Sequence, residues 1–253
     1  MPWTIERRHD HVAVVTMNTN KVNAQNPAFF DDLHTAFDRL EAEFGDSAVV
    51  LTSAGSVFSA GLDFDHHFQL FARQSLTQVD AWFEAYRATN LRLFTYPRPT
   101  IAAINGHAYA GGLITALSCD HRIASKGALQ FALNEVPIGI PMPAAYCEII
   151  KHRISPNAAT ELTLFGRVYD VATAAKMGVI AKTAAHSQLL DDAVAWRLLC
   201  HRTAIPLMPS RSVLCKRRRW RQSTLHHHSI EIGCRAPCQT LRACARTHDN
   251  TAN

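Results

Sequence analysis

The sequence contains no run approaching the roughly 18 to 20 apolar residues that a membrane-spanning helix requires, so no membrane partner is expected. Met1 to Asp10 is charged and lacks the apolar stretch of a secretory signal. The closing Thr251-Ala252-Asn253 is not a peroxisomal address. A cytoplasmic location is the expectation from these absences. No G-x-G-x-x-G follows an apolar strand, so the dinucleotide fingerprint is missing. Cysteine is scarce through most of the chain: only Cys119 and Cys147 fall within residues 1–195, which fits a reducing compartment.

Acidic residues are scarce at the other end. Residues 196–253 hold 2 Asp+Glu against 11 Lys+Arg, whereas residues 1–195 hold 19 against 15. The overall net charge of +5 therefore averages an acidic body and a strongly basic tail. The tail also holds Cys200, Cys215, Cys234, Cys238 and Cys244. Two compositional regions are read separately, although 253 residues could form one large domain or a domain with an appendage. The hydrophobic fraction of 47% is that of an ordinary globular protein.

Residues 11–17 read as a strand, with Val12, Val14 and Thr16 on one face and Ala13, Val15 and Met17 on the other. Asn26-Pro27 is a helix start, and Phe30, Leu33, Phe37 and Leu40 then repeat on one helical face. Residues 48–52 read as a buried strand, 53–64 as a loop rich in small residues, and 68–93 as one helix. Residues 100–104 form another apolar strand, Asn105-Gly106 turns the chain, and Ala110-Gly111-Gly112 enters a helix. Strands at 121–124 and 129–131 precede helices at 143–150, 158–165 and 171–177, the last ended by Gly178. Recurring strand, strand, helix units predict an α/β domain with internal repetition.

Two loops carry the chemistry, Phe58-Ser59-Ala60-Gly61-Leu62-Asp63 and residues 105–112. Each follows an apolar strand, and small residues let a ligand approach the backbone. The first N–H groups of a helix lack intrahelical partners and carry partial positive charge. A thioester oxygen placed there is polarised as it becomes an enolate oxygen. A pair of tight turns in a well-packed α/β protein would show the same spacing.

Residues 58–63, 99–120 (PTIAAINGHAYAGGLITALSCD) and 131–139 together resemble the enoyl-CoA hydratase/isomerase (crotonase) superfamily. The resemblance spans roughly residues 10–195, with the motifs in the family's order and spacing. It implies a crotonase-like spiral of ββα units, assembled as a homotrimer or hexamer, acting on acyl-CoA substrates. No separate cofactor and no metal are implied, since coenzyme A is part of the substrate. By position, the oxyanion-hole amides belong to Leu62 and Gly111. Lys21, Val22 and Ala24 match the loop along the CoA, and Ala60, Asp63 and Phe64 match the loop around the adenine and thioester. Ala110, Ile114 and Asn134 complete the substrate-binding residues that the resemblance implies.

Family hydratases use two glutamates. The first would lie three residues after Gly111, where this chain has Ile114; the second matches Glu135. A single carboxylate in a Leu-Asn-Glu setting resembles the Δ3,Δ2-enoyl-CoA isomerases, in which one glutamate shuttles a proton between C2 and C4. Leu133, Val136 and Ile114 predict an apolar pocket that raises the Glu135 carboxyl towards neutrality. An enoyl-CoA hydratase is the alternative, and a non-catalytic or nucleic-acid-binding protein on the same core is the rival from another class. His66 and His67 read as solvated, His107 has no catalytic role, and Asp120 reads as a structural anchor. Asp170 and Glu161 read as solvent-face charges.

After about Ala195 the helical pattern fails. Residues 196–253 read as an atypical basic, Cys/His-rich tail, including Lys216-Arg217-Arg218-Arg219-Trp220-Arg221 and His226-His227-His228. Loss of pattern with Arg, Cys and His enrichment fits a shift of reading frame near residue 195, or a disordered segment. A nucleic-acid-binding arm is a second explanation. A zinc site from Cys234, Cys238, Cys244 and His248 is a third, but its spacing matches no standard pattern. A tail that is not helical would leave apolar core surface uncovered, which favours aggregation.

Overall fold

Residues 12–17 alternate as predicted: Ala13, Val15 and Met17 join one core cluster, and Val12 and Val14 join another. They form the second of two antiparallel strands, β1 (Thr4–Arg7) and β2 (Val12–Met17). The computed structural model describes residues 3–8, 11–45 and 47–203. After a short β3 (Ala24–Gln25), the helix α1 (Pro27–Glu43) starts where the sequence places it. Asn26 caps it by accepting from the Phe29 N–H, and Pro27 occupies the first turn. Phe29 rather than Phe30 is fully buried with Leu33, Phe37 and Leu40. Phe30 packs edge-on against Trp82 and Tyr86 instead.

The strand β4 (Ala48–Ser53) is buried throughout. The segment 53–64, predicted as loop, holds two short strands, β5 (Val57–Ser59) and β6 (Gly61–Leu62). Their pairing partners lie far away in sequence, which local pattern cannot reveal. The single helix predicted over 68–93 is two helices, α2 (Phe64–Arg73) and α3 (Leu76–Phe94). Ser75 divides them: its side chain caps the Gln78 N–H, and the Gln78 side chain returns to the Ser75 N–H as a capping box.

Next come β7 (Thr100–Ile104), β8 (His107–Tyr109), α4 (Gly111–Ser118), β9 (His121–Ser125) and β10 (Gln130–Ala132). A 3₁₀ turn (Val136–Ile138) leads to α5 (Ala144–Arg153), α6 (Pro156–Phe165), β11 (Tyr169–Asp170), α7 (Val171–Lys176), β12 (Lys182–Ala184) and α8 (Leu189–Thr203). The main sheet runs β1-β2-β4-β7-β9-β12 and is parallel from β2 onward. A smaller sheet runs β11-β10-β8-β5, and β3 pairs with β6. The three repeats that begin at β4, β7 and β9 each give a long strand to the main sheet and a short one to the small sheet before the next helix. The expected spiral of ββα units is the observed architecture.

The central strands β2, β4, β7 and β9 are buried on both faces, as in other parallel sheets covered on two sides. Phe37, Leu93 and Leu113 pack within the first-face cluster, while Leu189, Ala193 and Val194 of α8 pack on Val50, Ile101 and Ile123. The helical pattern read as failing after Ala195 therefore continues to Thr203. The basic run at 216–221, the histidine triplet and the cysteine cluster lie outside the described residues. Val136, Ile138, Leu164, Phe165 and Val168 are exposed large apolar residues.

The helix α4 is buried over its whole length. Its last carbonyls are taken by two arginines: Arg153 donates to Leu117 O at 3.0 Å and Ser118 O at 3.3 Å, and Arg122 to Cys119 O at 3.2 Å. Arg153 also pairs with Asp120, which accepts from the Thr100 N–H and hydroxyl, so Asp120 is the anchor the sequence suggested. Arg153→Ala is expected to lower stability by about 3 kcal/mol, because it leaves buried carbonyls without donors. Urea unfolding measures this; a loss under about 0.5 kcal/mol, the level of an ordinary surface substitution, would remove Arg153 from the account.

Candidate active site

Three neighbouring parallel strands bring the site together. β5, β8 and β10 lie side by side, with Ser59 opposite Ala108 and Phe131 opposite Ala108. Their carboxyl ends lead, in turn, to Gly61-Leu62, to Gly111 and to Glu135. Ligands in α/β sheets gather at such strand ends. The Ala110 N–H donates to Ala132 O at 2.8 Å, which closes the gap between the second and third strands.

The two candidate amide loops touch. Gly61 adopts φ +82°, and a Cβ added there would lie 2.7 Å from Tyr109 O and 2.9 Å from Gly111 N. Only glycine permits both the conformation and the approach. Gly111 is the first residue of α4, and no side chain caps that helix. Ala110 before it sits at φ 46°, ψ −126°, a strained conformation for a residue with a Cβ. Its carbonyl accepts from Leu113 and Ile114, which holds the turn in place. The arginines bond the partial negative end of α4, and its partial positive end lies at Gly111 in this loop.

Glu135 begins the 3₁₀ turn and is 9% exposed, and its Oε2 has no hydrogen-bond partner. Burial pushes its carboxyl up to about 7. Beside it, Asn134 Oδ1 is also buried without a partner. Leu133 and Ile114 are fully buried, as the apolar pocket requires. Val136 is not part of that wall, since it is 37% exposed. The next residue, Pro137, is pressed against Gly166, where an added Cβ would meet its Cγ at 2.4 Å, and Val136 is left on the outside.

A second set of residues, Lys21, Val22, Ala24, Leu62, Asp63 and Phe64, lines an open surface cavity of about 440 Å³. All six were singled out in the sequence as site residues; Asn20, Asn26 and Asp65 complete the lining and were not read as part of a site. Ala60, Ala110, Gly111, Ile114, Asn134 and Glu135 lie outside that lining. Ala60 ties the cavity together instead, donating to Val22 O at 3.0 Å. Asn20 shapes the loop by accepting from the Val22 and Ala24 N–H groups. Asn23, at φ 46°, donates to Phe58 O and accepts from the Thr19 N–H. The asparagine-rich stretch 18–26 was the available signal for this turn chemistry. Asp63 also caps α2 through the His66 N–H.

The sequence reading of His67 is corrected. His66 is exposed, but His67 is 1% exposed, stacked on Phe71 and packed on Trp82. Its Nε2 contacts the Gln25 carbonyl at 3.1 Å and so must carry the proton. Burial lowers its pKa to about 4, so the ring is neutral. Asp170 likewise does more than face solvent, since it caps α7 through the Thr173 N–H.

Sequence reasoning missed a buried polar network beneath Gly111. Tyr86 donates to Gln25 Oε1 at 3.0 Å, and Gln25 Nε2 donates to Thr115 Oγ1 at 2.9 Å. The Thr115 hydroxyl lies 2.9 Å from Asn90 Oδ1 and 3.0 Å from Gly111 O. Asn90 donates to the Tyr146 hydroxyl at 3.0 Å. Burial raises the Tyr86 hydroxyl well above the usual tyrosine range, with Tyr146 and the Glu135 charge adding to the effect. Tyr86 and Asn90, four residues apart on α3, were the visible trace: two polar residues on a buried helical face.

The enoyl-CoA hydratase/isomerase family pattern matches residues 7–205. A Thermus thermophilus protein named among the enoyl-CoA hydratases is 35% identical over 191 residues, 73% of this chain and 72% of that protein. Human mitochondrial enoyl-CoA delta isomerase 1 is 29% identical over 186 residues, 73% of this chain and 60% of that protein. In fold, the crystal structure of human mitochondrial delta3-delta2-enoyl-CoA isomerase superposes with a TM-score of 0.78 at 23% identity, covering 100% of both chains.

Proposed function

This chain belongs to the enoyl-CoA hydratase/isomerase family, and from that premise we propose that it is a Δ3,Δ2-enoyl-CoA isomerase. The observation that carries the proposal is the Glu135 carboxylate: it is buried with its Oε2 unpartnered, while Ile114, apolar and fully buried, stands one turn beyond Gly111. The CoA portion would occupy the cavity between Lys21–Ala24 and Leu62–Phe64. The thioester oxygen would accept from the Leu62 and Gly111 amides. Glu135 would remove a proton from C2 of a 3-enoyl thioester, leaving a dienolate whose negative charge rests on that oxygen. The same carboxyl would then return the proton at C4, giving the 2-enoyl thioester and restoring the carboxylate.

One carboxylate suits this shuttle because the proton leaves and returns on one group. Adding water across a double bond needs a second group to orient the water, and Ile114 cannot do so. The hydratase reading is supported by the naming of the Thermus relative. The two readings separate in one experiment. Turnover of a 3-enoyl-CoA to the 2-enoyl-CoA is expected to exceed hydration of crotonyl-CoA by at least about 100-fold, the low end of what a missing acid–base group costs. Rapid crotonyl-CoA hydration would overturn the isomerase assignment.

A further inference from the structure

The two proposed amide donors belong to separate loops, and one buried residue is bonded to the surroundings of both, by its backbone on one side and its side chain on the other. Gln25 lies opposite Leu62 in the parallel pairing of β3 with β6. Its carbonyl accepts from the Asp63 N–H at 3.2 Å and from His67 Nε2 at 3.1 Å. Its side-chain amide reaches the other loop, accepting from Tyr86 and donating to Thr115, one turn along α4 from Gly111. The α-carbon of Gly111 rests directly on this amide: an added Cβ would lie 2.3 Å from Gln25 Oε1 and 2.1 Å from the Tyr86 oxygen. Gln25 is fully buried.

A buried amide costs stability unless its donors and acceptors are paired, and once paired it tolerates little displacement. Gln25 is therefore fixed from both ends by α2, α3 and α4 together. An aliphatic residue would fill the same space without tying the Leu62 strand to the Gly111 turn. We infer that Gln25 is a positioning residue that sets the separation and direction of the Leu62 and Gly111 amides. This rests on the oxyanion-hole reading given above. Gln25 touches no reacting atom; it acts through the two peptides, with Tyr86 as its principal support.

The test uses the full chain and butyryl-CoA labelled with carbon-13 at the thioester carbonyl, whose infrared band reports polarisation by the donors. Binding to the wild type is expected to shift the band to lower frequency. Gln25→Leu is expected to lose most of that shift. Its kcat on a 3-enoyl-CoA should fall about 100-fold, the scale of an ångström's misplacement, with KM within about threefold because the contacts to the CoA portion, outside the hole, are retained. Tyr86→Phe, which keeps the ring in its aromatic packing, is expected to change both readings in the same direction and serves if Gln25→Leu does not fold. A full wild-type shift in both variants, whatever their kcat, would overturn the positioning role while leaving the hole reading intact. No shift in the wild type would instead overturn the hole reading, and the positioning role with it.

Discussion

Glu135→Gln is expected to abolish isomerisation of a 3-enoyl-CoA, lowering kcat by up to about 10,000-fold, the upper range for a lost acid–base group. Glutamine fills the same space and can accept a hydrogen bond, but it cannot take up the C2 proton. Wild-type kcat/KM should rise with pH through about 7, because the base must be ionised and burial holds its pKa there. Stability should run the other way. Between the ordinary carboxyl value of 4.5 and about 7, the folded chain keeps a proton that the unfolded chain has released. Folding stability therefore falls as pH rises through that window, by up to about 3 kcal/mol. Glu135→Gln lacks this penalty, so it should melt several degrees above the wild type at pH 8 and close to it at pH 4. Wild-type-like turnover in the variant would remove Glu135 from the mechanism. Equal melting points at pH 8 would show that the carboxyl is not held near neutrality.

Gly61→Ala is expected to reduce kcat by about 100- to 1,000-fold, the effect of losing one oxyanion donor. The new methyl cannot be accommodated by rotating a side chain. It would meet main-chain atoms, Tyr109 O at 2.7 Å and Gly111 N at 2.9 Å, at a residue with φ +82°. The Leu62 and Gly111 loops must move apart, so the damage falls on both donors at once. Left-handed strain adds a stability loss of about 1 to 3 kcal/mol. Kinetics at a temperature well below the melting point separate the two effects. A variant that melts lower but keeps wild-type kcat would show that the contact between the loops does not set the donor geometry.

Much of the fold was legible because it follows local rules. Asn26-Pro27 starts a helix through a side-chain cap and a fixed proline φ, both written in adjacent residues. The alternating apolar residues of 12–17 foretold a strand buried on two faces. The glycines at 61 and 111, the missing carboxylate at Ile114 and the remaining one at Glu135 were visible as residue types at set spacings. The break at Ser75 was also written locally, in the S-x-x-Q of a capping box, but the apolar pattern on either side concealed it. Val136 was misplaced because its neighbours predict an apolar wall, whereas Pro137 packing on Gly166 decides which way it faces.

The sequence by itself determined which candidate groups the chain supplies: two backbone turns with small residues and the Glu135 carboxylate. Only the tertiary structure decided where they meet. The ends of β5, β8 and β10 converge because three short strands pair in parallel, and that pairing brings together residues far apart in the chain. The same holds for the support beneath them. Gln25 and Thr115 are 90 residues apart, and His67 is buried because α2 lays it against β3 and α3. Local preference fixes backbone dihedrals and caps, but burial and hydrogen-bond pairing between distant segments exist only once the strands have docked.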